Sequence, residues 1–127
     1  MNVIIDTNRY RDFCEGDPTA LEVVQLARTI ALPFAVLAEL RAGFLCGTVA
    51  RKNEQTLVRF LNSDRVRLLF PDEDTTHHFA RVFAQLRLQG TPIPSHDIWI
   101  AALAIQHDLM LFSRDTHFDV LPQLARC

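Results

Sequence analysis

"VIIDTN", residues Val3 to Asn8, sets three branched apolar residues directly before a carboxylate, a threonine and an amide. A continuous apolar run of this kind reads as a strand buried on both faces, the pattern of a parallel sheet. An antiparallel strand with one wet face would alternate. In open parallel sheets, ligands bind beyond the carboxyl ends of the strands. A first strand that stops at Asp6 therefore delivers an acid to the edge where such sheets do their chemistry.

The rest of the chain repeats the alternation that a parallel sheet requires. Pro18, with Asp17 as N-cap, opens a helix that runs to about Arg28. "TIALPF" (Thr29–Phe34) reads as a second strand and "AVLAELRAGF" as the helix after it, with Gly43 and Gly47 marking its end or a bend. Leu57, Phe60 and Leu61 make one stripe of a helix that starts near Arg51. "RVRLLF" (Arg65–Phe70) is a third strand, stopped by Pro71. Phe79, Val82, Phe83 and Leu86 fall at i, i+3, i+4 and i+7, and Ile98, Ala101, Ala102 and Ile105 repeat that spacing after Gly90, Pro92 and Pro94. "LMLFS" (Leu109–Ser113) is a fourth strand. Strands alternating with helices predict an α/β fold, a central parallel sheet covered on both faces.

The chain has 127 residues, 49% of them apolar and 22% charged, which suits one domain over residues 1–127 with a real core. No apolar run approaches the length of a membrane span and no basic, apolar leader opens the chain, so a cytoplasmic protein without a membrane anchor is expected. Cys14, Cys46 and Cys127 have no C-x-x-C pairing and suggest neither a zinc site nor a disulfide framework. The net charge of −2 argues against a passive nucleic-acid binder, although every basic residue except Lys52 is an arginine, the side chain that grips phosphate bidentately.

Four acids stand out by position. Asp6 ends the first strand, Asp115 follows the last, Asp97 opens the helix of "SHDIWIAALA", and Glu39 interrupts the apolar "AVLAEL". Each has a simpler use: Asp6 or Asn8 as a helix cap, Asp97 as a complement to the helix dipole, Asp115 as a turn residue, Glu39 as a solvated side chain. The conjunction carries more than any one of them. Four converging carboxylates repel one another and stay ionised together only with a cation present. Hard oxygen donors in this number suit Mg²⁺ or Mn²⁺, and such a cluster fits two-metal hydrolysis of a phosphodiester. There is no G-x-S-x-G and no P-loop to supply a different chemistry.

"VIIDTN", "VLAELRAG", "HDIWIAALA" and "LFSRDTHFD" together resemble, in order and spacing, the PIN-domain ribonucleases, and within them the VapC-type toxins of bacterial toxin–antitoxin pairs. The resemblance spans Met1 to about Leu124. It implies a three-layer α/β/α sandwich, with Asp6, Glu39, Asp97 and Asp115 as the catalytic, metal-binding acids, Asn8 orienting a ligand at the metal, and Ser113 supporting the site by hydrogen bonding. It implies an endoribonuclease dependent on Mg²⁺ or Mn²⁺ that cuts structured RNA, tRNA or rRNA, dimerises, and is silenced by a cognate antitoxin entering the active-site groove. Two departures stand out. Arg9 follows the D-T-N, where many relatives have an apolar residue. His117 and Phe118 precede Asp119, where many carry another acid close after the last catalytic one.

Without the four acids, 11 acidic residues face 13 basic ones, and Arg9, Arg11 and Arg114, beside the motifs, are the expected RNA contacts. His96 and His117 are expected as polar surface histidines, the Phe79–Leu86 stripe as core, and Trp99, off its helix's stripe, as part of a partner surface. Specificity is expected in the loops around Glu15–Asp17, Arg41–Lys52 and Thr91–Pro94. Two alternatives remain open: a PIN nuclease of RNA processing that is not a toxin, and a non-catalytic binding module. An aspartyl-phosphate phosphatase fits poorly, because Asn8 stands where a second acid would be wanted and Lys52 is far from any motif.

Overall fold

Strands β1 (Asn2–Ile5), β2 (Thr29–Pro33), β3 (Val66–Leu69) and β4 (Met110–Phe112) form one parallel sheet in the order β3-β2-β1-β4 in the computed structural model, which describes residues 1–127. Val3 pairs with Ile30 on one side and Met110 on the other. The chain steps outward from β1 to β2 to β3, then reverses to place β4 against the free side of β1. The order of strands therefore switches direction between β1 and β4, the place where open sheets open a crevice.

Right-handed crossovers set α1 (Thr7–Cys14), α2 (Pro18–Leu26), α3 (Phe34–Cys46) and α4 (Ala50–Leu61) on one face. They set α5 (Glu73–Gln89) and α6 (Ser95–Gln106), which pack extensively on each other, on the opposite face. The result is the expected α/β/α sandwich. Val3, Ile4 and Ile5 are at most 1% exposed, as a central strand covered on both faces requires. β3, at one edge, leaves Arg67 and Leu68 in solvent. The other edge is covered by the C-terminus: Leu111 N donates to Ala125 O and Cys127 N to Leu111 O.

Helix boundaries follow local chemistry. Asp17 accepts from Ala20 N ahead of Pro18, as the sequence predicts. Gly90 ends α5 in the left-handed region at φ 71°, where a side chain would be strained. Phe79, Val82 and Leu86 of α5 reach the core, and Phe83 is half exposed.

Thr7–Cys14, to which the apolar pattern assigned no element, is helical, with Thr7 and Tyr10 buried and Phe13 packed on the core. Two expectations are corrected. Arg41–Lys52 is mostly not a loop, since α3 runs through Gly43 to Cys46 and α4 begins at Ala50. Gly43 does not end α3; a Cβ there would lie 2.9 Å from the tip of the flexible Arg11 side chain, which would have to shift. Trp99 is half-buried. Its ring packs against Phe79 at 4.4 Å and Phe34 at 6.3 Å between centroids.

Asp72 caps α5 in a reciprocal capping box with Thr75 and accepts from Gln106 Nε2 of α6 at 2.9 Å. Asp72→Ala is expected to cost about 1 kcal/mol of unfolding free energy, measured by urea denaturation, with no change in the size of the folded protein.

Candidate active site

The carboxyl ends of β1 and β4 and the N-terminal turns of α1 and α6 surround a cavity of about 300 Å³ whose lining is polar apart from Pro94. The structure brings Asp6, Glu39, Asp97 and Asp115 to this cavity, together with Asn8, Arg11, His96 and His117. Asp6 and Asp97 are 5% and 6% exposed.

Each acid is positioned by its own element. The Asp6 amide donates to Phe112 O, extending the β1–β4 ladder by one rung, so Asp6 must emerge beside Ser113. Its carboxylate caps α1 by accepting from Thr7 N at 2.8 Å, and accepts from Ser113 Oγ at 2.6 Å and Asn8 Nδ2 at 3.4 Å. Asn8 also reaches Ser113 Oγ, and its own carbonyl accepts from Arg114 N at 3.1 Å. Ser113 Oγ accepts from Asp115 N. Asp115 in turn caps a short 3-10 turn, Thr116–Val120, through His117 N. Asp97 sits in the first turn of α6, where the helix dipole favours a negative charge. The simpler uses of these residues as caps and turn formers are therefore real, and they aim the same carboxylates into one space.

The electrostatics are those of a site short of positive charge. None of the four acids is ion-paired with an arginine or lysine. Burial first, and then the charges of Asp115 and Asp6, push the Asp97 carboxyl above its usual range, opposed by its hydrogen bond to His117. His117 Nδ1 lies 2.7 Å from Asp97 Oδ2 and 3.3 Å from Asp115 Oδ1. The hydrogen bond to Asp97, and then the charge of Asp115, raise the imidazole above its ordinary value. His96 Nε2 lies 2.9 Å from Glu39 Oε2. Thr7 Oγ1, on the cavity wall, is buried without a partner. Converging carboxylates, no arginine or lysine paired to them and an unsatisfied hydroxyl fit a hard divalent cation.

The two histidines are solvent-accessible, as expected, and they also line the cavity wall. Their signal in the sequence was adjacency to Asp97 and Asp115. Asp12, which the sequence did not single out, organises the arginines. Arg114 binds it with two hydrogen bonds, at 2.7 and 2.9 Å, and Arg9 Nη1 lies 3.2 Å away while its guanidinium stacks over Phe112. Of the three arginines expected to hold RNA, Arg11 alone lines the cavity, and it makes no ion pair. Asp119 points elsewhere, paired with Arg126 at 3.1 Å. No helix is long and apolar enough to cross a membrane.

A family model described as the PIN domain matches residues 3–124. The VapC ribonuclease Y4jK of Sinorhizobium fredii is 28% identical over 123 residues, covering 90% of this chain and 87% of its own. VapBC2 of Rickettsia felis, solved bound to a DNA fragment from its promoter, superposes with a TM-score of 0.85 at 26% identity. That match covers 100% of this chain and 98% of that one. VapBC-5 of Mycobacterium tuberculosis, described as a member of the VapBC family of toxin–antitoxin systems, gives 0.73 at 25% identity, with 99% and 98% covered.

The arginine clamp makes a pH prediction. The hydrogen bond from Arg114, with Arg9 adding to it, holds the Asp12 carboxyl below its usual range. A carboxyl depressed in the folded state stabilises fully above its unfolded pKa and loses that contribution as pH falls through the folded one. Unfolding free energy measured by urea denaturation should therefore drop below about pH 4, and Asp12→Asn should make the acid limb shallower.

Proposed function

This chain belongs to the PIN-domain family, and from that premise we propose that it is a VapC-type toxin, a metal-dependent endoribonuclease held in check by a cognate antitoxin. The observation that carries the reading is the convergence of Asp6, Glu39, Asp97 and Asp115 in one polar cavity at the β1/β4 switch point. The toxin assignment is supported by whole-chain similarity to a VapC ribonuclease and to structures of VapBC complexes. The substrate proposed is structured RNA, tRNA or rRNA. The partners are the antitoxin and a second copy of the chain, for which exposed side chains such as Leu45, Phe70 and Leu88 leave apolar surface.

The cation is Mg²⁺ or Mn²⁺, held by Asp6, Asp97 and Asp115 with Glu39 at the rim. When bound, such an ion neutralises the scissile phosphate and lowers the pKa of an attacking water. The chain's own residues do the positioning. Thr7 N, Ser113 Oγ and Asn8 Nδ2 fix the Asp6 carboxylate from three sides, so it keeps its orientation when charge arrives. Asn8 ties β4's exit to α1 through Arg114 N, which holds Asp115 in register with Asp6. Arg11, unpaired and on the wall, is the group placed to bind a phosphate of the RNA backbone.

Purified, antitoxin-free protein should cut total tRNA or rRNA into discrete fragments with Mg²⁺ or Mn²⁺ and not with EDTA. Asp6→Asn should reduce the rate by on the order of a hundredfold or more. Cleavage that survives this substitution contradicts the assignment. A separate readout concerns binding. At a hundred times its Kd, Mn²⁺ should stabilise the wild type by about 2.7 kcal/mol, seen as a rise in Tm. Asp97→Asn should lose that shift without lowering the metal-free Tm, because it removes a buried charge that is repelled by its neighbours.

A further inference from the structure

We propose that His117 is itself a ligand of the cation, so that the centre is a mixed nitrogen and oxygen site that prefers Mn²⁺ over Mg²⁺. The inference rests on the nuclease reading above and deepens it. Its basis is where the imidazole stands. One donor atom each from Asp97, Asp115 and His117 lies within 4.8 Å of the other two. His117 Nδ1 faces both carboxylates, at 2.7 and 3.3 Å. Adjacent ligands of an octahedral ion with bonds near 2.1 Å are about 3 Å apart, and these two separations bracket that value. In the tautomer that carries its proton on Nε2, the imidazole presents the Nδ1 lone pair to a cation held between the two carboxylates.

The local backbone favours this use. Asp115 Oδ1 accepts from His117 N, which fixes the 3-10 turn and directs the imidazole back over the two acids. Phe118, the next residue, is 1% exposed and anchors the turn to the core. Asp119, the next acid along the chain, is committed to Arg126 and does not reach the cavity. His96 is the other histidine of the wall, but it stands beside Glu39, 2.9 Å from Oε2 without a hydrogen bond, and outside the group formed by Asp97, Asp115 and His117. Imidazole nitrogen is a poor ligand for Mg²⁺, which takes oxygen, and a better one for the later first-row dications. A site that includes His117 therefore discriminates among hard cations where a four-carboxylate site would not.

The test is pulsed electron paramagnetic resonance of Mn²⁺ bound to the purified protein, which detects a directly bound imidazole nitrogen independently of activity. The wild type should show nitrogen modulation, His117→Ala should lose it, and His96→Gln should keep it. Competition titrations should show His117→Ala weakening Mn²⁺ at least about tenfold and Mg²⁺ far less. A side chain that only orients Asp97 would weaken both ions alike, and that result overturns the proposal. So does bound Mn²⁺ in the wild type without nitrogen modulation, an outcome that leaves the nuclease reading intact and does not depend on any variant folding. Nitrogen modulation in a protein that cleaves no RNA would uphold the ligand and overturn the nuclease instead.

Discussion

Repulsion of the buried Asp97 by Asp115 and Asp6, in a cavity that Glu39 also lines, is the constraint on which the rest of this structure turns. Asp6 and Asp97 are almost wholly buried, and no arginine or lysine neutralises them or their neighbours. In a protein interior such charges are tolerated only where local dipoles and hydrogen bonds hold them or a cation joins them. The fold supplies the first in full. α1 follows β1 directly and α6 leads back into β4, so both helices turn an N-terminus to the cavity, where the amides of α1 and the first turn of α6 receive Asp6 and Asp97. Ser113 and Asn8 add donors at the seam between β1 and β4. The deficit that remains is one of positive charge, which a divalent ion meets.

The arginines show what the site leaves aside. Arg9 and Arg114 flank the motif in sequence yet both spend their charge on Asp12, away from the carboxylate cluster. That clamp ties α1 to the segment after β4 and so stiffens the β1/β4 seam from outside the cavity. Arg11, one helical step away, stays unpaired, and the tip of its side chain lies against Gly43 of α3. Neighbouring positions of one short helix thus divide between bracing the site and facing its substrate.

The sheet and its acids were legible in the sequence because burial on both faces writes an unbroken apolar run, as in Val3–Ile5 and Leu109–Phe112, and each run stops at its functional residue. The helix Thr7–Cys14 was not, because it presents few residues to the core and the remainder are polar; its formation depends on the Asp6 cap and on packing against α2 and α3. The continuation of α3 past Gly43 was hidden because a glycine inside a helix is indistinguishable in sequence from one that ends it. The place of the two solvent-accessible histidines in the cavity was not legible, because their partners are tertiary. Glu39 is far from His96 along the chain, and His117 meets Asp97 only because β4 and the turn after it pack back along α6.

The most direct measurement is anomalous diffraction from crystals of the protein soaked in Mn²⁺. The account predicts a manganese peak inside the cavity, about 2.0–2.6 Å from carboxylate oxygens of Asp6, Asp97 and Asp115. A fully occupied crystal with manganese only at other surfaces, and the four carboxylates unmoved around empty space, would contradict it.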